Sequence, residues 1–286
     1  MLNLSNIQKK YSGKIAATDL DLLLAASINQ PRVFLLTHPE YRPSILSRIK
    51  FAYYLYLYKK GYSVAAILKH KEFFGLDFYV NKHVLIPRPD TEIMVETVIK
   101  KIKNYEKSNL ILIDIGTGSG CIPISIIKNI NNNIKTIAID ISRQALRVAK
   151  KNAKIHNVNI NFLHGDLLSP FNNLSIYQFN NLIITANLPY LTNNQFISEP
   201  SIQKEPQLAL VADNTNGLSL YEKLLLQIQP LLLITNCSLL ICLEIDPSQI
   251  KAIKSLINRY LPQAKITIKK DLSGLDRLVE IEMIKS

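Results

Sequence analysis

The alternation of short apolar runs with amphipathic stretches, from residue 110 onward, constrains the fold of this chain more than any other feature. Alternating strands and helices are typical of a parallel sheet with helices on both faces. We therefore predict a seven-stranded, doubly wound (Rossmann-like) α/β domain over residues 91–286. The predicted strands are 110–115, 136–140, 160–164, 182–186, 238–245, 265–269 and 277–283, and the predicted helices between them are 120–128, 142–156, 218–229 and 248–260.

Residues 1–74 have a different pattern and are predicted to form a small all-helical domain. Thr18 and Asp19 are capping candidates in front of one periodic apolar stretch. Residues 43–60 and 63–68 have the apolar spacing of two further helices. We see no catalytic constellation in this segment. We therefore expect a substrate-recognition domain, and a packing brace is the alternative.

A linker is predicted between the two domains, over residues 75–90. Apolar and aromatic residues in the segment 72–86 lie on both sides of the polar residues 81–83. This arrangement favours a β-hairpin that turns at the polar residues.

The segment 87–92 reads Pro-Arg-Pro-Asp-Thr-Glu, and its two prolines stiffen the chain. Asp90 or Thr91 is expected to cap a helix over 92–103. Arg88 lies on this stiff segment and is a candidate to orient a carboxylate, because a guanidinium binds that group through two hydrogen bonds.

A glycine-rich segment follows the first predicted strand of the sheet. Residues 114–120 read Asp-Ile-Gly-Thr-Gly-Ser-Gly. Glycine at such a turn allows positive φ and lets a ligand touch the backbone. The spacing resembles the dinucleotide-binding fingerprint GxGxxG, shortened to GxGxG, which suits a cofactor without a pyrophosphate group.

Acidic residues follow the next two predicted strands. Asp140 ends the second strand, where an acid accepts hydrogen bonds from ribose hydroxyls. Asp166 follows the third strand and is placed to accept from an exocyclic amine such as adenine N6. Leu167, beside it, is expected to lie against the purine face. Together they predict a nucleoside site.

The fourth predicted strand is followed by the tetrapeptide Asn187-Leu188-Pro189-Tyr190. Pro189 biases Leu188 toward an extended backbone, which turns the carbonyls of the loop outward. The Asn187 side-chain oxygen and the Leu188 carbonyl are then two acceptors for a planar NH2 group. Tyr190 supplies a flat face that packs against the plane of that group.

These features follow successive strands, so we expect them at one edge of the sheet, where open α/β sheets bind ligands. A ribose contact, an adenine contact and a loop that grips an amine predict S-adenosylmethionine as the cofactor and N-methylation as the chemistry. No metal site is predicted. The predicted cofactor-binding residues are Gly116, Thr117, Gly118, Ser119, Gly120, Asp140, Asp166, Leu167 and Asn187, and the predicted catalytic residues are Asn187, Leu188, Pro189 and Tyr190.

These motifs resemble those of the HemK/PrmC peptide chain release factor N5-glutamine methyltransferases. Residues 84–92 are similar to that family's LIPRPxTE segment, residues 114–120 to its cofactor loop, and residues 187–190 to its Asn-Pro-Pro-Tyr tetrapeptide. The resemblance implies methylation of the side-chain amide nitrogen of the glutamine in the Gly-Gly-Gln motif of release factors. It also implies that the glycine loop and Asp140 bind S-adenosylmethionine, that residues 187–190 hold the glutamine, and that the helical domain contacts the release factor. Leu188 stands where the family usually has proline.

Leu188 also supports a second interpretation, because Asn-Leu-Pro-Tyr is the tetrapeptide of the rRNA adenine N6-dimethyltransferases. Those enzymes have the cofactor loop near the chain start and a helical domain after the sheet, whereas here about a hundred residues precede the loop. Adenine N6-methylation of rRNA or DNA is therefore the alternative function. A non-catalytic binder of release factors or ribosomes is a third, and the intact tetrapeptide argues against it.

The composition bears on partners and compartment. The formal net charge of +12 suits RNA or the ribosome as a neighbour, and a drift toward Ile, Asn and Lys explains the same charge equally well. The three cysteines lack paired or metal-ligand spacing, which indicates reduced thiols in a cytoplasm. The first residues lack a signal-peptide core, and the longest apolar run, 231–243, is too short and too polar to span a bilayer. We expect a cytoplasmic monomer without membrane contact.

Overall fold

The computed structural model describes residues 3–103, 105, 110–130, 134–173, 180–212, 216–234 and 237–283. Its internal contacts divide the chain into two compact units, Met1–His70 and Lys71–Ser286. Within the described ranges, no helix combines the length and the apolar character needed to cross a membrane.

The first unit is helical, as the sequence predicts. Its core is formed by apolar residues of the second helix, such as Leu23 and Leu24, packed with Leu4, Leu35 and Phe51. All five residues are at most 6% exposed, so this unit has a hydrophobic core of its own. Its helices are α1 (Leu4–Tyr11), α2 (Ala17–Ile28), α3 (Arg32–Thr37), α4 (Ile45–Lys59) and α5 (Val64–Leu68).

The helix caps of the first unit differ in part from the prediction. Thr18 and Asp19 do not cap α2, because the helix begins earlier, after Ala16, whose side chain makes no cap hydrogen bond. Ser44 and Ser63 are the caps of α4 and α5, and each accepts a hydrogen bond from a backbone N–H of the first helical turn.

The predicted position of the β-hairpin is wrong. The strands are β1 (His70–Phe73) and β2 (Leu76–Tyr79), and the turn is Phe74-Gly75 rather than residues 81–83. Both turn residues have positive φ, 51° and 69°, as in the tight two-residue turns that match the twist of paired strands. The sequence did not indicate a turn here, because Phe74 lies within an apolar run and a bulky residue rarely adopts positive φ. The division after His70 leaves all but the first residue of the hairpin in the second unit.

The second unit is built on the predicted seven-stranded sheet. Five strands are parallel, and β9 is antiparallel to both of its neighbours. The strand order is β5-β4-β3-β6-β7-β9-β8. The strands are β3 (Leu110–Ile115), β4 (Lys135–Asp140), β5 (Asn161–His164), β6 (Asn181–Ala186), β7 (Ser238–Glu244), β8 (Lys265–Lys270) and β9 (Asp276–Met283).

The direction of winding changes between β3 and β6. From β3 the chain proceeds through β4 to β5 on one side, and then returns to β6 and β7 on the other. Ligands of open α/β sheets bind at the carboxyl ends of the strands at such a switch point. The glycine loop and the Asn187 tetrapeptide follow these two strands directly.

Helices cover both faces of the sheet. Alternate residues of one strand enter different cores: Ile113 packs in the core on the α10 and α11 face, and Leu112 in the core on the α6 and α7 face. Burial on both faces explains the nearly continuous apolar runs of the parallel strands. The helices are α6 (Glu92–Ile102), α7 (Cys121–Asn129), α8 (Arg143–Ile155), α9 (Asn193–Ser198), α10 (Ser219–Ile234) and α11 (Ile250–Tyr260).

Candidate active site

A cavity of about 510 Å³ lies at the carboxyl edge of the sheet. The loops after β3, β4, β5 and β6 surround it, together with residues of the segment 83–91. Most residues that the sequence singled out lie together in its lining, namely Gly116, Thr117, Gly118, Ser119, Asp140, Asp166, Leu167, Asn187, Leu188 and Pro189. Gly120 and Tyr190 lie outside this lining.

The glycine loop is held by backbone contacts. The N–H groups of Gly116 and Thr117 both donate to Ile139 O, at 2.9 and 3.0 Å. Gly116 has a φ of 69°, and a Cβ atom there would lie only 2.9 Å from Leu188 Cδ2. The loop therefore packs directly against the tetrapeptide, and the positive φ favours glycine at this position.

Gly120 contributes to packing rather than to the cavity wall. It precedes α7 with a φ of 79°, and a Cβ atom there would lie 3.1 Å from Ile124 Cδ1 and 3.2 Å from Ala149 Cβ. The third glycine of the motif thus lets α7 and α8 approach each other.

Asp140 lies in the cavity lining and is 8% exposed. Its Oδ2 accepts a hydrogen bond from Gly118 N and its Oδ1 accepts one from Ser142 N, both at 2.8 Å. Burial raises the pKa of Asp140, and these two bonds oppose the shift because they favour the carboxylate. The acid therefore fixes the glycine loop, and each oxygen keeps a further lone pair for a ligand hydroxyl.

Asp114 is a buried acid to which the sequence analysis gave no separate role. Thr185 Oγ1 donates to Asp114 Oδ1 at 2.6 Å, which ties β3 to β6. Burial raises the pKa of Asp114 to about 7. Its Oδ2 and Thr117 Oγ1 are buried side-chain atoms without a hydrogen-bond partner among the described residues. The Thr117 side chain nevertheless lies close enough to Asp114 to favour its carboxylate, so the two groups face each other at the base of the glycine loop.

Asn152 links the hairpin to the glycine loop, a role that the sequence analysis did not predict. It is fully buried on α8. Its Oδ1 accepts a hydrogen bond from Tyr79 N, and its Nδ2 donates to Tyr79 O, both at 2.9 Å. Nδ2 also donates to Ser119 O at 2.8 Å. A mid-helix Asn on an otherwise apolar face was the only available signal.

Asp166 and Leu167 follow β5. The Asp166 carboxylate forms an ion pair with Lys223 of α10, and both side chains are partly exposed. Leu167 is buried with a φ of 52°. Gly165 precedes them, and a Cβ atom there would lie 2.1 Å from Pro170 Cγ. The turn is therefore closely packed and presents an apolar residue beside an acid.

The Asn187 side chain has a defined partner. Its Nδ2 donates to Thr91 Oγ1 at 3.2 Å. Thr91 stands at the N-cap position of α6, as the sequence predicts, but its side chain makes no cap hydrogen bond. Thr91 accepts from Asn187 instead, and Asp90 pairs with Arg277 at 3.4 Å. With Nδ2 turned toward Thr91, Asn187 Oδ1 is left as an acceptor that has no donor among the described residues.

Leu188 is buried beside α10. Its N–H donates to Tyr221 Oη at 3.2 Å, and Tyr221 in turn donates to Glu244 O. The Leu188 carbonyl lies 3.5 Å from Tyr221 Oη, a weak contact because the hydroxyl proton is directed to Glu244 O. The Leu188 carbonyl therefore remains an acceptor.

Tyr190 is half-buried and lies next to the cavity rather than in its wall. Its carbonyl oxygen accepts a hydrogen bond from Gln249 Nε2 at 3.0 Å. Gly217 approaches the same oxygen so closely that a Cβ atom there would lie 2.0 Å away. Burial and the nearby Glu244 carboxylate raise the pKa of Tyr190, so its ring is neutral at physiological pH.

Arg88 orients a carboxylate, but one from this chain. Its guanidinium forms an ion pair with Glu205 at 2.5 Å. The other oxygen of Glu205 accepts from Ile86 N at 3.0 Å. The pair attaches the segment before α6 to the segment 205–211, which supplies part of the cavity wall.

The residues present fit S-adenosylmethionine. The cavity has room for an adenosine-sized group, because ligand pockets of this kind span roughly 300–1,000 Å³. Its wall combines an acid at the end of β4, a buried leucine beside an acid after β5, and glycine backbone with positive φ. Each of these suits one part of the cofactor, respectively the ribose, the adenine and the amino-acid portion.

Comparison with known proteins gives the class. The family model described as "Methyltransferase domain" matches residues 106–257, more than half of the chain. Among solved structures, the hMettl16 catalytic domain in complex with MAT2A 3′UTR hairpin 6 has a similar fold, with a TM-score of 0.54 over 77% of this chain and 78% of that one at 18% identity. Fold, site and domain together define an S-adenosylmethionine-dependent methyltransferase.

The curated relatives give the family. A release factor glutamine methyltransferase of Enterococcus faecalis is 39% identical over 77% of this chain and 76% of its own. Proteins of the same name from Flavobacterium psychrophilum and Mycoplasma mycoides subsp. mycoides are 35% and 34% identical over 91% and 95% of this chain, covering 89% and 94% of their own. The chain belongs to the release factor glutamine methyltransferase family, and the resemblance found in the sequence is confirmed.

Proposed function

We propose that this protein transfers a methyl group from S-adenosylmethionine to the side-chain amide nitrogen of the glutamine in the Gly-Gly-Gln motif of peptide chain release factors. Family membership supports this substrate over adenine. The structural observation that carries the proposal is the hydrogen bond from Asn187 Nδ2 to Thr91, because it leaves the side-chain oxygen as an acceptor beside the cofactor cavity.

The residues divide into two sets by position. Residues 116–120 and Asp140, with Asp166 and Leu167, would form the first set and hold the cofactor. Residues 187–190 would form the second set and hold the glutamine. Asn187 borders the cofactor set as well. Asn187 Oδ1 and the Leu188 carbonyl would accept the two hydrogens of the glutamine amide. Tyr190 would keep the amide plane in place, and Pro189 keeps the Leu188 backbone extended.

An amide nitrogen is a poor nucleophile, because its lone pair is delocalised into the carbonyl group. The bound cofactor supplies an electrophilic methyl group on a sulfonium sulfur. The two acceptor oxygens aim the nitrogen lone pair at this methyl group and favour the positive charge that develops on nitrogen. The N–CH3 bond would form as the S–CH3 bond breaks, and the extra proton on nitrogen would then leave to water.

Transfer of labelled methyl groups tests this function. The acceptors are an intact release factor, its variant with the Gly-Gly-Gln glutamine changed to alanine, and ribosomal RNA. We expect label on the intact factor only. Label on RNA alone would favour the alternative, adenine N6-methylation, and contradict the proposal.

We further propose that the helical unit recognises the release factor. A glycine-rich target loop offers few side chains for recognition, so specificity must come from a surface away from the chemistry. An apolar stripe along α4 supports this role, because large apolar side chains exposed together mark binding surfaces. The stripe consists of Ile45, Leu46, Ile49, Tyr53 and Tyr56, each more than half exposed.

Removal of residues 1–70 tests the role of this unit. The cut follows the structural boundary and preserves most of the hairpin. We expect the truncated protein to bind S-adenosylmethionine about as well as the full chain and to methylate the intact release factor far more slowly. Circular dichroism checks that the sheet unit stays folded. If the folded, truncated protein methylated the release factor as fast as the full chain does, the helical unit would be a packing brace rather than a recognition domain.

We also propose that the protein acts as a cytoplasmic monomer near the ribosome. The exposed side of α8 supports an RNA neighbour, because it carries basic residues at helical spacing and the helix has no acidic residue. These residues are Arg143, Arg147, Lys150, Lys151 and Lys154. Co-sedimentation with ribosomes tests this charged stripe, and binding that persists at high salt would contradict its role. Light scattering measures the mass of the protein in solution and so tests whether it is a monomer.

A further inference from the structure

Glu244 is a buried acid that the proposed reaction does not use directly. It ends β7 and is 2% exposed. In the sheet register Leu243 lies opposite Ala186, so Glu244 lies beside the position where the Asn187 loop leaves β6. A buried carboxylate is costly unless its neighbours stabilise the charge, so the neighbours of Glu244 indicate its role.

The neighbours of this carboxylate are groups of the proposed acceptor site. Tyr190 Oη donates to Glu244 Oε1 at 3.5 Å, a long bond, and Oε2 has no hydrogen-bond partner of good geometry among the described residues. The Thr91 hydroxyl and the Asn187 amide lie close enough to favour its ionised form. Thr91 Oγ1 also accepts from Asn187 Nδ2.

These contacts form a directed chain. Thr91 Oγ1 receives a hydrogen bond from the Asn187 amide, so its own proton is free to point to the Glu244 carboxylate. An ionised carboxylate only accepts hydrogen bonds, and this fixes the direction of the whole chain. A neutral side chain at position 244 could instead donate a hydrogen bond to Thr91 Oγ1. The Asn187 amide would then no longer be held with its Oδ1 facing the proposed acceptor site.

We propose that Glu244 is a positioning residue for methyl transfer, and that its carboxylate acts through Thr91 to fix the orientation of the Asn187 amide. This inference rests on the proposed function, because the oriented oxygen matters only for an amide acceptor. Glu244 does not touch the substrate in this account.

The charge state of Glu244 gives the inference a pH signature. Burial raises the pKa of Glu244 to about 7, while Thr91, Arg277 and Asn187 oppose the shift and Asp90 adds to it. The carboxylate is therefore lost as the pH falls through about 7, and the transfer rate should fall with it. The titratable and charged groups that face Glu244 are Arg277 and Asp90, Tyr190 and Tyr221, and Cys121.

The contribution of Glu244 to protein stability should depend on pH in the opposite direction to its contribution to the transfer rate. The folded protein binds this proton more tightly than the unfolded chain does, so the contribution of Glu244 to stability falls as the pH rises from 4.5 to about 7. Glu244→Gln removes the buried charge. Its melting temperature at pH 8 should therefore equal or exceed that of the unchanged protein.

The test is the pH profile of kcat for transfer to the release factor, measured for the unchanged protein, Glu244→Gln and Thr91→Val. We expect kcat above pH 8 to be about tenfold lower in each variant, with an unchanged Kd for S-adenosylmethionine. In the unchanged protein kcat should fall as the pH drops through about 7, and this acidic limb of the profile should be absent in Glu244→Gln. Because both act in one chain, the double variant should be no slower than the slower single variant.

Glu280→Gln is the matched control. Glu280 is an equally buried glutamate on the neighbouring strand β9, but it lies opposite Cys242 rather than beside the Asn187 loop, and it pairs with Lys101 and Lys269. We expect it to melt at a lower temperature and to keep the acidic limb. A normal kcat and an intact acidic limb in Glu244→Gln would overturn the inference, as would a Glu280→Gln profile that loses the limb. An unchanged protein that does not methylate the release factor at all would overturn the proposed function instead.

Discussion

Two loops lie side by side at the switch point of the sheet, and they are held in place by different means. The loop after β3 is fixed by backbone contacts, with two N–H groups on Ile139 O and one on Asp140. The loop after β6 is fixed by side chains from distant segments, namely Thr91, Tyr221 and Gln249. A loop that binds a cofactor through its backbone can be encoded in a short motif, whereas a loop that must orient one amide depends on the whole unit.

This comparison predicts that changes in the two loops have separable effects. Changes after β6 should lower the rate of transfer and spare cofactor binding. Changes after β3 and β4 should weaken cofactor binding first.

The largest effect is expected at Asn187. We expect Asn187→Ala to lower kcat by about 10²–10³, since loss of one preorganised electrostatic group typically costs this much. Binding of S-adenosylmethionine should change much less, because the residue faces the acceptor. Single-turnover transfer and calorimetry measure the two quantities. Near-normal turnover would remove Asn187 from the mechanism.

A smaller effect, on the other side of the comparison, is expected for Asp140→Ala. The change removes a ribose acceptor and also frees the N–H groups of Gly118 and Ser142. Loss of a charged hydrogen bond costs roughly 1.5–3 kcal/mol, so we expect about 10–100-fold weaker binding of S-adenosylmethionine.

The sheet should stay folded in this variant, because Asp140 lies at the end of its strand. At saturating cofactor the rate should recover most of its normal value. Unchanged affinity in calorimetry would place the ribose contact elsewhere. A kcat deficit as large as that of Asn187→Ala at saturating cofactor would erase the distinction between the two loops.

The difference between the loops also explains what could be predicted from the sequence. The strands of the sheet and the glycine loop follow from local pattern, and their positions agree with the prediction within a few residues. The Asn187 tetrapeptide is visible as a motif, but its partners lie about thirty to a hundred residues away in sequence. No local rule connects such positions, so the contact of Thr91 with Asn187 was not predicted and Glu244 received no role.

Two other errors have different causes. The hairpin turn at Phe74 was missed because a large aromatic residue is an unusual choice at positive φ. The bonds from Gly118 and Ser142 to Asp140 were not predicted, because the donors are backbone N–H groups, which are present at almost every position. The missed contacts depend on tertiary geometry rather than on residue type.

Tandem mass spectrometry of a release factor, after incubation with this protein and S-adenosylmethionine, tests the central claim most directly. The account predicts a single added methyl group on the side-chain nitrogen of the Gly-Gly-Gln glutamine, and none when Asn187→Ala replaces the unchanged protein. A methyl group on another residue, or an unmodified factor beside methylated RNA, would contradict it.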